Sequence, residues 1–169
     1  RTLASESGRS ATDRYAFTLQ GTGPLAGRVA WRALYTQASS LAFRSFRQGE
    51  NFTEEGVGLG RSFADNDQLT LSLSAPVTPR WLVTPEVTLF RQGEGRLSQP
   101  VPTSGTPEAG NTPQLFIGVV ERTWRAALGV SGKQGPLSLA ATAGLHYVDN
   151  AGNQSGRTRT RFVGRIQAT

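Results

Sequence analysis

The chain of 169 residues has no cysteine and no methionine, a single histidine, His146, and a single lysine, Lys133. Without cysteine there is no disulfide framework, no thiol nucleophile and no thiolate-ligated metal site. No run of about 18 apolar residues occurs, which excludes a transmembrane helix. Arg1-Thr2-Leu3 does not open the apolar core of a signal peptide. With no initiator methionine either, the chain is expected to be a processed product or a piece of a longer polypeptide. One histidine among scattered carboxylates makes a poor metal site, and no cofactor is expected.

Hydrophobic residues make up only 37%, there are 20 glycines, and Ser and Thr are abundant. That balance suits strands that are apolar on one face better than a packed helical domain. The stretch from Asp67 to Gly93 has this form. Leu69, Leu71, Leu73, Ala75 and Val77 alternate with Gln68, Thr70, Ser72 and Ser74. After Thr78-Pro79-Arg80, Trp81, Val83, Pro85, Val87 and Leu89 alternate with Leu82, Thr84, Glu86 and Thr88. Successive side chains on a strand point to opposite faces, so each arm has an apolar and a polar side. Each arm also matches the roughly 9 to 11 residues with which a tilted strand crosses a bilayer.

Other segments repeat the pattern. Tyr15, Phe17 and Leu19 precede a turn expected at Gly21-Thr22-Gly23-Pro24, after which Leu25 to Tyr35 alternate again. Residues 36–61 read as one large excursion, with strand extensions expected at Leu41 to Phe46 and Val57 to Phe63. Residues 94–113 form a second, rich in Pro, Gly, Ser and Thr. From Gln114 the alternation returns through Phe116, Gly118, Val120, Trp124, Ala126, Leu128 and Val130, with Arg122 a charged intruder on that parity. It continues through Leu137 to Tyr147 after a turn at Lys133 to Pro136, and through Phe162, Gly164, Ile166 and Ala168 after the loop 149–157. Residues 1–13 read as a loop or disordered end, and 14–169 as a β-barrel segment.

Seven strands result, joined alternately by short turns (near 22, 79 and 134) and long loops. That asymmetry predicts an all-β, antiparallel up-and-down transmembrane barrel of the bacterial outer membrane, with short turns periplasmic and long loops outside. Tyr15, Trp31, Tyr35, Trp81, Trp124, Tyr147 and Phe162 all fall on the apolar parity, several near strand ends where interfacial girdles belong. Bacterial single-chain barrels have even strand counts, so further strands are expected. A soluble β-sandwich also alternates, but its strands usually run to about 5 or 6 residues.

No catalytic constellation stands out, and the chain is not expected to be an enzyme. His146 with Ser138, Asn150 or Ser155 could sketch a hydrolase dyad or triad; a polar residue facing the lumen is the simpler account. Asp65, Asn66 and Asp67 with Glu54 and Glu55 offer oxygen ligands for calcium but lack the spacing of a calcium loop. The polar parity is more informative. Arg28, Arg32, Arg125, Arg161 and Arg165 would line the lumen with Glu86 and Glu121. They would either draw anions to their guanidinium forks or pair with the carboxylates and fill the interior. Arg44, Arg47 and Arg96 would lie on the outer loops.

Leu34 to Phe46, Gly56 to Ser74 and Leu89 to Gly95 resemble the C-terminal part of Wzi-type capsule assembly proteins. There, a strand ending in Tyr-Thr precedes a long outer loop, a glycine-rich approach and an acidic turn. Tyr35-Thr36, Gly58 to Gly60 and Asp65 to Asp67 look like those elements. The resemblance implies a larger outer-membrane barrel that binds or organises capsular polysaccharide at its outer surface without chemical turnover. Terminal aromatic, N-terminal strands and periplasmic helices of that family have no counterpart here. The net charge of +6 fits an anionic polysaccharide or lipopolysaccharide partner, with outer-membrane lipid around the barrel. It equally fits an anion-selective channel. A soluble nucleic-acid-binding domain is the third alternative, disfavoured because clustered aromatics are lacking on a polar face.

Overall fold

The computed structural model describes residues 15–43, 53–54, 57–58, 64–96 and 115–169. In chain order the strands are β1 (Ala16–Ala26), β2 (Val29–Ala38), β3 (Thr53–Glu54), β4 (Val57–Gly58), β5 (Asn66–Thr78), β6 (Trp81–Gln92), β7 (Glu121–Gln134), β8 (Leu137–Asp149) and β9 (Arg159–Ala168). Seven of them form one antiparallel meander in the order β1-β2-β5-β6-β7-β8-β9, and β3 pairs with β4 alone. The described residues contain no helix. The sheet is not closed: β1 and β9 are its two edges.

Register carries the alternation of each strand across the whole sheet. Leu19, Tyr35, Leu69, Leu89, Trp124 and Tyr147 are successive cross-strand partners in one row. The next apolar row runs through Gly21, Ala33, Leu71, Val87, Ala126, Leu145 and Phe162. On the other face Gln20, Leu34, Thr70, Thr88, Arg125, His146 and Arg161 form a row in the same way. Slipping any strand by one residue would mix the two faces.

Exposure is inverted relative to a water-soluble sheet. Leu71, Val87 and Leu145 on the apolar face are 49%, 51% and 51% exposed, whereas Thr88 on the polar face is 8% exposed. Through β5, β7 and the outer half of β8 the polar parity is consistently the more shielded. The inversion belongs to the central strands; β1 and β9, at the edges, are exposed almost throughout.

Three two-residue turns close one end, at Gly27-Arg28, Pro79-Arg80 and Gly135-Pro136, with Gly27 and Gly135 at φ 55 and 62. The first lies beyond the turn expected at Gly21 to Pro24, which instead continues β1. Gly21 and Gly23 make room for Trp31: a Cβ at Gly21 would stand 3.0 Å from its ring. Pro24 is tolerated because an edge strand needs fewer ladder donors. Pro85 sits in the interior strand β6, and there the β5–β6 ladder skips the two pairs between Ser72↔Glu86 and Ala75↔Val83 without a change of register, as the missing N–H of proline accounts for.

The strand expected from Phe116 begins only at Glu121. Phe116 and Gly118 adopt φ 64 and 65, and a left-handed backbone cannot continue a ladder. Of the expected extension at Leu41 to Phe46, residues 41–43 form a turn, with Leu41 and Ala42 buried. Its remaining residues, most of 57–63 and the N-terminal 1–13 lie outside the described residues. The buried residues concentrate at the long-loop end: Ala38, Ser39, Ser40, Leu41, Ala42, Ala64, Asp65, Asn66, Asp67 and Gln92.

Candidate functional site: an arginine-bearing face under a hydrogen-bonded rim

The alternation places four of the five candidate lumen arginines on the polar face, Arg125 where it is shielded and Arg32, Arg161 and Arg165 at exposed positions in strands toward the sheet's two edges. Arg32 in β2 lies between Thr22 and Ser72, and Arg125 in β7 between Thr88 and His146. Arg161 and Arg165 in β9 face His146 and Thr142. Arg28 is the exception. It occupies the Gly27-Arg28 turn, because β1 runs on to Ala26.

Carboxylates are scarce on this face. Glu86 lies 3.6 Å from Arg125. Glu121, expected to share in neutralising the arginines, instead accepts a hydrogen bond from the Gly152 N–H at the rim. Arg161 and Arg165 have no carboxylate within ion-pair distance among the described residues. Nε of Arg125 is buried and has no hydrogen-bond partner among the described residues. Arg125 in β7 and Arg161 and Arg165 in β9, two strands away, with one carboxylate beside them give this part of the face a positive field that a bound or passing anion would relieve.

The rim at the long-loop end is a separate polar construction. Asp65, fully buried at φ 60, accepts hydrogen bonds from the backbone N–H groups of Gly95 (3.0 Å), Phe116 and Ile117 (2.9 Å). Gly95 is required for this approach, since a Cβ there would stand 2.7 Å from the Asp65 Cβ. Asp67 forms a bidentate pair with Arg91, whose guanidinium also lies 4.7 Å from the Phe116 ring centroid. Tyr35 Oη lies 3.2 Å from the same carboxylate. Glu94 accepts from the Val119 N–H at 2.9 Å. The Asn153 amide donates to the carbonyls of Gln92 and Val119.

Arg96, an expected outer-loop binding residue, belongs to this rim. It donates to the carbonyls of Gly93 and Gly95 and to Asn153 Oδ1, at 2.8, 3.2 and 2.7 Å. Arg44 and Arg47 lie outside the described residues. Arg122, the intruder on the apolar parity, is the second residue of β7, at the long-loop end, and faces Asp149 at 3.7 Å.

His146 does not build a triad with Ser138. The two are eight residues apart in β8, about 26 Å along an extended strand. The Asn150 side chain is engaged elsewhere, donating to the Val120 carbonyl and accepting from the Gly156 N–H. The acidic turn does not offer a calcium cage either. Oxygens of Asp65 meet amide donors and those of Asp67 meet Arg91, and no group of three or more metal-ligating side chains occurs among the described residues.

Sequence reasoning missed the rim. Asp65 and its partners are 30, 51 and 52 residues apart, and no local spacing links them. No protein-family model, curated protein or solved structure matches the chain.

Proposed function

We propose that this chain is a wall of an outer-membrane β-barrel, without catalytic turnover, whose arginine-bearing polar face lines an aqueous lumen and attracts anions. The observation that carries this proposal is the inverted exposure: half-exposed Leu71, Val87 and Leu145 against a shielded Thr88. A continuous apolar face many strands wide is costly in water and favourable against lipid. Strand length agrees, since β5 to β8 have 12 to 14 residues. Tyr35, Trp124 and Tyr147 share one row near the rim, and Trp81 lies by the short turns, as two aromatic girdles require.

The resemblance to Wzi-type proteins supports a second role, organisation of anionic capsular polysaccharide by the outer loops. The rim favours it, because it fixes the bases of both long loops on the sheet.

Liposomes reconstituted with the refolded protein test the membrane proposal. The protein is expected to resist extraction by alkaline carbonate; recovery as a monodisperse species in detergent-free buffer would overturn it. In planar bilayers under a KCl gradient the reversal potential is expected to favour chloride. A cation-preferring current would sink the lumen proposal. Retention of acidic, but not neutral, polysaccharide by proteoliposomes would then support the loop role.

A further inference from the structure

The polar face carries a hollow of about 290 Å³ lined by Thr84, Glu86, Arg125, Gly129, Ser131 and Thr142. It exists because the side chains beneath it are small: Ala127, Gly129 and Ser131 in β7 lie beside Ala140 and Thr142 in β8. An interior meant only to be filled would place bulky side chains here. Instead the floor is bare and the border is polar. Arg125, its Nε buried and without a partner among the described residues, stands toward the rim. On β9, Arg165 faces Thr142, a residue of the lining, and among the described residues its guanidinium donates to Gln167 Oε1 at 3.2 Å.

We propose that this hollow is a subsite for a small oxyanion bearing several hydroxyls, of about the size of a sugar acid. The proposal rests on the polar face being a lumen open to solutes. A carboxylate matches the guanidinium of Arg125 at the border, and Arg165, outside the lining but paired across the ladder with Thr142, adds a second positive charge beside it. Thr84, Ser131 and Thr142 supply hydroxyls that both donate and accept, and Glu86 accepts from ligand hydroxyls. The volume sits at the lower end of the roughly 300–1,000 Å³ of ligand pockets, so one ring fits and an oligosaccharide does not. Specificity for the hydroxylated anion comes from the combination: a neutral sugar leaves the exposed end of the Arg125 guanidinium without an anion, and a bare oxyanion leaves the hydroxyls and Glu86 unmet.

Calorimetric titration of the detergent-folded protein with galacturonate, galactose and sulfate tests this. Galacturonate is expected to bind at least tenfold more tightly than either of the others. Arg165→Gln is expected to weaken it at least tenfold. Gly129→Ala places a methyl in the floor at ordinary contact, 3.5 Å from the Thr84 carbonyl and 3.8 Å from Thr142 Oγ1. It is expected to weaken galacturonate at least threefold with an unchanged thermal transition. Equal binding of galactose or of sulfate, no binding by the parent protein, or full affinity in both variants would overturn the subsite. Carbonate extraction on the same preparation keeps the outcomes apart: an integral protein that does not bind loses only the subsite, and a soluble one loses the lumen proposal.

Discussion

At the scale of the residue, Asp65 carries the most structural weight. Its carboxylate is the common acceptor for three backbone N–H groups from two segments, near Gly95 and at Phe116 and Ile117. Charge-assisted hydrogen bonds are about twice as strong as neutral ones, and each buried donor left unpaired costs about 1–3 kcal/mol. Asp65→Ala is therefore expected to destabilise the protein by about 3–5 kcal/mol in urea unfolding. Glu94→Gln, at an exposed position with one such bond, is expected to cost about 1 kcal/mol. Equal effects would refute the assignment of Asp65 as the anchor. The sequence marks Asp65 only as part of an acidic turn, open to calcium or to solvent. What it leaves out is the other half of the interaction: backbone amides far along the chain, whose orientation follows from φ 64 at Phe116 and from no side-chain pattern.

At the scale of the element, the strands were legible because a period of two is a local signal. The alternation of Leu69 to Val77 and Trp81 to Leu89 maps directly onto β5 and β6 and onto their facing rows. Failures came where a turn residue serves another purpose. Gly21 and Gly23 read as a turn, yet they are the flat ground under the Trp31 ring, a contact made across strands and invisible along one. Phe116 and Gly118 alternate correctly but are bent out of the ladder by the Asp65 and Glu94 attachments. The faces carry a sharp expectation. Leu71→Arg or Val87→Arg should cost about 2–4 kcal/mol in urea unfolding from lipid vesicles if these rows lie near the bilayer midplane. A change within about 0.5 kcal/mol, normal for a solvent-facing site, would argue for a soluble sheet.

At the scale of the whole molecule, direction matters more than strand length. β1 starts at the rim, with Ala16 opposite Ala38, and β9 also starts there, with Arg159 opposite Val148. Both edges therefore run the same way. Joining them to each other would make a parallel pair, whereas an odd number of added strands keeps every pair antiparallel and the total even. Leu19→Cys combined with Phe162→Cys, and Leu25→Cys with Ile166→Cys, are accordingly expected to remain reduced within one chain under mild oxidation. An intramolecular disulfide, which needs Cα atoms within about 7 Å, would reveal parallel self-closure. The rim has one more consequence. The carbonyl of Ser39 accepts from both Ala42 and Asp65, at 3.0 and 3.1 Å, so the chain leaves and re-enters the sheet at a single pinned point. With the ends already joined, doubling the length between them costs only about 0.6 kcal/mol. Sequence inserted between Phe43 and Ala64 is therefore expected to leave the thermal transition of the seven-stranded sheet within a few degrees of the parent's, whatever becomes of the short β3–β4 pair.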